Sequence, residues 1–197
     1  RDTESRSLYE RNQGVACAAP KTDKDPFCNA TPDFTQGRSE AYPPDVEHNQ
    51  AMCDALAKQP NASVLLDPFT VVRREKKGGG FVSVPYNLHY AQWTNAIAKR
   101  LRTASAAILS DEEQPLKAYL AAAAKGFETN AWWEADEAWS AMSGSSSKWY
   151  LRVGPDETYF DPCQLKAGFH MSLALINKDA VKWQKRLTEL RTEMEQR

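Results

Sequence analysis

Glu157, Tyr159 and Asp161 alternate along the stretch Glu157-Thr158-Tyr159-Phe160-Asp161-Pro162. In an extended segment, residues two apart project to the same side. A carboxylate there can hold an ammonium, and a phenol can donate to an oxyanion. Pro155 and Pro162 bracket the segment and stiffen it. Glu157 and Asp161 therefore stand as candidate substrate-binding residues and Tyr159 as a candidate catalytic residue. The other reading of the same residues is a turn with a solvated Glu157 and a packed Tyr159.

Other chemistries find less support. The three histidines, His48, His89 and His170, include no pair four residues apart, so there is no HExxH zinc helix. A serine elbow of the form GxSxG is absent, since Lys148 stands where the second glycine would be. Gly78-Gly79-Gly80 lacks the Lys-Ser/Thr that follows a phosphate-binding loop, and reads as a plain loop. Trp132, Trp133, Trp139 and Trp149 could form a carbohydrate platform, but core packing is the commoner use of such residues. The cysteines at 17, 28, 53 and 163 form no CxxC pair. Their even number points to two disulfides and an oxidising compartment: secreted, periplasmic or cell-surface. The pairing expected is Cys17 with Cys28 and Cys53 with Cys163, against the alternative of four buried thiols. Sequons stand at Asn29 and Asn61.

The elements that must position these residues follow from periodicity. Residues 1–80 are rich in proline and polar residues and read as an extended, cysteine-bearing N-terminal arm. Within it, one short helix is expected over Asp45–Lys58, and a strand or extended stretch over Val64–Val72. Residues 81–197 read as one helical and β domain. Tyr90, Trp93, Ile97, Leu101, Ala104 and Ile108 recur at three- and four-residue steps, as do Leu116, Tyr119, Leu120, Ala123 and Phe127. Ser110 and Glu113 fit a capping box between the two helices. A third helix is expected over Ala131–Met142, capped by Asn130. Trp149–Val153 reads as a strand, and the period-two stretch from Ala167 to Ile176 as another. A last helix starts at Asp179 with Ala180, Trp183, Leu187, Leu190 and Met194 on one face. The fold class is α+β, predominantly helical, with a short β-sheet portion before a C-terminal helix.

Composition excludes several classes. The 197 residues carry 25 Lys+Arg and 26 Asp+Glu, a net charge of -1, which argues against nucleic-acid binding. No apolar run approaches the roughly 18 residues of a membrane span. The chain opens at Arg1 and not at methionine, which reads as a removed leader or a piece of a larger gene product.

The Glu157–Pro162 motif, followed by Lys166 and the strand from Phe169 to Asn177, resembles the dipeptidyl peptidase III family of M49 metallopeptidases. The order of helices before it is also similar, and the resemblance covers about residues 85–195. It implies that Glu157 binds the free amino terminus of a peptide substrate and that Tyr159 assists at the scissile carbonyl. The family's zinc helix lies after this region, and no such motif stands in this sequence. The cofactor expectation is accordingly none in this chain, with zinc on a missing or partner chain. The chain is then expected to be the peptide-binding portion, or a processed chain, of a zinc dipeptidyl-peptidase-like protein. The alternative is a non-catalytic binding or structural subunit of an extracellular or envelope assembly. The expected partners are a peptide substrate or another protein chain within a larger assembly. A two-stranded sheet is marginal alone, so further strands would come from elsewhere.

Overall fold

The computed structural model describes residues 39–76, 79–144, 146–159 and 161–196. Cys17 and Cys28 lie outside the described residues. The architecture is α+β and mostly helical, with two small antiparallel sheets. Its elements run α1 (Gln50–Ala57), α2 (Ala62–Leu65), β1 (Thr70–Arg74), β2 (Phe81–Pro85), α3 (Tyr86–His89), α4 (Ala91–Ala107), α5 (Gln114–Thr129), α6 (Trp133–Ser140), β3 (Trp149–Pro155), β4 (Phe169–Leu175) and α7 (Lys178–Glu195).

Local chemistry sets most of these boundaries. The Asn49 side chain accepts from the Met52 amide and starts α1, five residues later than the proline-bounded stretch suggested. Met52, Cys53 and Leu56 form its buried face. β1 and β2 form a hairpin in register Val72 to Ser83, with Gly79 at φ 73 in the turn. The glycines read as a plain loop thus include a residue that needs the left-handed region. Asn177 caps α7 by accepting from Asp179 and Ala180.

Two expectations change at the helix junctions. Ser110 makes no side-chain cap bond; the Glu113 carboxylate instead takes the Ser147 hydroxyl and the Lys148 amide, fixing the entry to β3. Asn130 is not the cap of α6. It ends α5 at φ 65 and donates its amide to the Phe69 carbonyl. Asparagine suits both positions, because its short polar side chain tolerates the left-handed region.

The core has two parts that share Phe69. One gathers α4, α5, α6 and β3 around Tyr119, Phe127 and Trp132. The expected stripe of α5 is buried throughout. On α4 the buried residues are Thr94, Ala98 and Ser105, while Trp93 is 66% exposed. Ile97, Leu101 and Ile108 of the expected stripe still pack half-buried against this core, while Trp93 and Ala104 stand out of it; the small side chains sit deepest because they let α4 lie close to the alanine-rich α5. The second part gathers Tyr42, α1, Leu65, Val71, Val72 and Tyr86. Residue 41 lies along β1, where the Val72 amide donates to the Ala41 carbonyl.

Trp132 occupies a slot between two glycines. A Cβ on Gly126 would meet its ring at 2.7 Å, and one on Gly154, which has φ 146, at 2.8 Å. Alanine at a helix position normally stabilises relative to glycine by about 1 kcal/mol. Here Gly126→Ala and Gly154→Ala are each expected to destabilise by roughly 1–3 kcal/mol. Urea denaturation checks this, and a stabilised Gly126→Ala would show that the indole has room to move.

Candidate functional site

β3 delivers the Glu157 segment. The β3–β4 ladder pairs Val153 with Met171 and Pro155 with Phe169. It continues past Pro155, because Asp156 donates to the Gly168 carbonyl and Gly168 donates to the Glu157 carbonyl. Glu157 is thereby held extended beside the start of β4, with its side chain exposed. The chain then turns at Asp161, whose amide donates to the Thr158 carbonyl.

Asp161 is the hub of that turn. Its Oδ2 accepts from the Tyr42 hydroxyl at 3.0 Å and from the amides of Cys163 and Leu165, each at 3.1 Å. Its Oδ1 is buried and has no hydrogen-bond partner among the described residues. Burial, reinforced by the Asp161 charge and hydrogen bond, raises the Tyr42 hydroxyl well above the ordinary phenol range, so it stays a donor. Cys163 is disulfide-bonded to Cys53 of α1, with a Cα–Cα distance of 5.5 Å. That is the second of the two expected pairings.

Lys166 fastens the other end of the turn. Its Nζ donates to the carbonyls of Leu65 at 2.5 Å and Asp67 at 2.6 Å and to the Thr70 hydroxyl at 2.8 Å. An ammonium has three N–H groups, and all three are used. Burial pushes its pKa down to about 8, against the opposing charges of Asp67 and Asp161. Ala167 donates to the Pro68 carbonyl, and Tyr86 donates its hydroxyl to the Ala167 carbonyl.

These ties enclose a cavity of about 230 Å³. Glu157, Asp161, Lys166, Gly168 and Phe169 line one side, and Ser39, Glu40, Ala41, Tyr86 and Tyr90 the other. Tyr86 and Tyr90 each meet the Phe169 ring, at 5.3 and 5.8 Å between centroids. Arg73 places Glu40 by donating to its backbone carbonyl, and it also bonds His89 Nε2 at 2.7 Å. Burial and the Arg73 charge lower the His89 pKa, which keeps that ring nitrogen an acceptor.

The structure therefore brings Glu157 and Asp161 to one cavity. Tyr159 is 62% exposed and is not part of its lining. The residues that sequence reasoning passed over are Tyr42, Tyr86, Tyr90 and Glu40, which come from 67 or more positions upstream of Glu157 and carry no local motif. Lys166 stood in the motif without a role. Three acidic residues, Glu40, Glu157 and Asp161, are in the lining and its one ammonium is already satisfied, so the net charge of the lining suits a small cation.

The four tryptophans do not share one face: Trp132 is buried in the core and Trp133 is exposed, while Trp139, under the Arg152 guanidinium, and Trp149 line a separate groove. His48 bonds the Pro43 carbonyl and His170 the Ser172 hydroxyl. Among the described residues, no three His, Cys, Asp or Glu gather to hold a metal ion.

No protein-family model matches the chain, and no curated protein does. Solved structures do. The dipeptidyl-peptidase III of Caldithrix abyssi matches with a TM-score of 0.70 and 26% identity, over 98% of this chain and 38% of that one. The fold is similar to dipeptidyl-peptidase III. The enzyme of that name from Corallococcus sp. strain EGB matches with a TM-score of 0.62 and 27% identity, over 77% of this chain and 28% of that one. The chain thus spans 28% and 38% of the two dipeptidyl-peptidase III structures it resembles. The likeness read from the Glu157–Pro162 motif and the helix order is present in the fold.

Proposed function

We propose that this chain is the peptide-gripping part of a dipeptidyl-peptidase III-like protein, and that Glu157 holds the free amino terminus of a peptide in the cavity beside Phe169. The carrying observation is electrostatic. Glu157, Asp161 and Glu40 line one small cavity whose ammonium, Lys166, gives all three donors to protein acceptors. Asp161 holds the turn behind Glu157, and the Tyr86, Tyr90 and Phe169 rings wall the first residue of the peptide. Tyr159 stands two residues from Glu157 and would meet the peptide farther along, at the carbonyl to be attacked. Among the described residues no three His, Cys, Asp or Glu gather to hold zinc, so the role proposed for them is the grip on the peptide and not the hydrolytic step. The Cys53–Cys163 disulfide favours a secreted, periplasmic or cell-surface setting. Among the described residues no helix is long and apolar enough to cross a membrane.

The test is calorimetry with alanine tetrapeptide, free and N-acetylated. The free peptide is expected to bind more tightly, and Glu157→Gln to weaken it roughly 10- to 100-fold, as loss of a charge-assisted hydrogen bond does. The acetylated peptide should bind equally weakly to both proteins. Equal weakening of both peptides by the substitution would sink the amine grip. A wild-type protein blind to acetylation would favour the non-catalytic subunit reading instead.

A further inference from the structure

The cavity wall opposite Glu157 is irregular backbone at residues 39–41. Two ties to β1 hold it. The Val72 amide donates to the Ala41 carbonyl at 2.7 Å. The Arg73 guanidinium donates through both terminal nitrogens to the Glu40 carbonyl, at 3.0 Å each. A planar fork on one carbonyl fixes its direction better than a single donor does. The same guanidinium also donates to the Val72 carbonyl at 2.9 Å and to His89 Nε2 at 2.7 Å. Val72 is its own neighbour in β1, so His89 is the contact that reaches the other wall. His89 ends α3, whose first residue is Tyr86, and its ring meets Tyr90 edge-on at 4.6 Å. Tyr86 and Tyr90 both line the cavity. Glu40, Arg73, His89 and Tyr90 thus join one wall to the other.

The join requires neutral histidine. A guanidinium has only donors, so the ring nitrogen it meets must accept. An imidazolium has no acceptor and carries the same charge as Arg73. Few other charges surround the ring. Arg73 from β1 opposes its protonation, and Glu40 favours it. Arg74, on the other face of β1, is paired with Asp45. β2 has no titratable side chain, and α4 has none before Lys99. In the last turns of α5, Lys125 and Glu128 are paired with Glu134 and Arg102. Tyr90 stays a phenol, because burial and the Glu40 charge raise its pKa. For His89, burial and the Arg73 charge outweigh Glu40, so the ring takes its proton below its ordinary 6.5.

We propose that Arg73 and His89 are positioning residues of the peptide-gripping cavity: they clamp the wall at residues 39–41 while His89 is neutral, so that peptide binding weakens in mild acid. The clamp stands on its own hydrogen bonds; its effect on peptide rests on the amine grip proposed above. Protonation of His89 removes the acceptor from Arg73 and sets two cations side by side. It also gives the Glu40 carboxylate a cation within the protein, which offsets one of the three negative charges of the lining.

Two measurements between pH 7.5 and pH 5 test it. Calorimetry reads the affinity for alanine tetrapeptide, whose amine stays largely protonated over this range. Hydrogen exchange of the free protein reads the Ala41 and Tyr42 amides, which donate to the Ser39 hydroxyl and carbonyl, corrected for the intrinsic effect of pH. In the wild type, lowering the pH is expected to weaken binding roughly fivefold or more and to speed exchange by a similar factor. His89→Gln offers Arg73 an amide oxygen that does not titrate, and should hold both within about twofold. His89→Lys puts a lasting cation there, and should show both changes already at pH 7.5 with an unchanged circular-dichroism spectrum. Wild-type exchange that ignores pH would overturn the clamp. So would a His89→Gln protein that responds to acid as the wild type does, which would assign the effect to the carboxylates. Exchange that responds through His89 while peptide affinity stays level would overturn the positioning role. Exchange that responds in this way in a protein that binds the peptide at no pH would support the clamp and overturn the amine grip instead.

Discussion

Replacing both Cys53 and Cys163 by alanine is expected to lower stability by about 4–5 kcal/mol, the chain-entropy value for a closed loop of around 100 residues. The two cysteines are 110 positions apart, and both ends of the link lie in the second core part. Unfolding with the bond intact leaves a chain whose ends at 53 and 163 cannot separate; without it, that freedom returns to the unfolded state. Guanidinium denaturation of the double variant, and of the wild type with reductant, should show matching losses. The site should feel the change too. Cys163 follows the Asp161 turn by two residues, and that turn holds Glu157 against Gly168. Affinity for a free-amine peptide should fall severalfold at a temperature where the variant is still folded, but less than for Glu157→Gln. A loss below about 1 kcal/mol would mean that the unfolded chain is already restricted by other structure.

The order of elements from α4 onward was legible because it is local. Period 3.6 in α5 and period 2 in β4 need no knowledge of what lies opposite. The failures are where distant residues decide. Nothing near Trp93 shows that α4 turns its small residues inward; that depends on the alanines of α5. Nothing near Asn130 separates a helix start from a helix end; the Phe69 carbonyl it meets lies 61 positions away. The hairpin strand β2 is short and only half-buried, so its alternation carries little signal. The candidate site divides the same way. The spacing of Glu157 and Asp161 set them on one side only for an extended segment; the chain turns between Thr158 and Asp161 instead, and it is this turn that leaves both on the cavity and Tyr159 off it. The Tyr86 and Tyr90 wall, and the Glu40 opposite, enter the cavity only through long-range ties such as Tyr42 to Asp161 and Tyr86 to Ala167.

Lys166 is the strongest of those ties, and Lys166→Met is expected to destabilise by roughly 2–4 kcal/mol. The methionine would fill most of the volume and remove a buried charge, which by itself is favourable. The carbonyls of Leu65 and Asp67 would lose their donor in a buried place, 101 and 99 positions from residue 166. The unmet acceptors outweigh the saved desolvation, because three donors and three acceptors are matched in the native state. The pH dependence gives a second readout. Burial lowers the folded pKa from 10.5 to about 8. Between those values the unfolded chain holds a proton that the folded chain has released, so stability rises with pH across that window. Wild type should therefore gain on Lys166→Met between pH 8 and 9.5, by up to about 1.4 kcal/mol per pH unit. Comparing the two proteins cancels the tyrosines, whose raised pKa values act in the opposite direction at higher pH. A difference that stays flat from pH 7 to 9.5 would mean that the three acceptors hold the ammonium charged despite its burial. The turn that carries Asp161 would then be locked by a permanent cation.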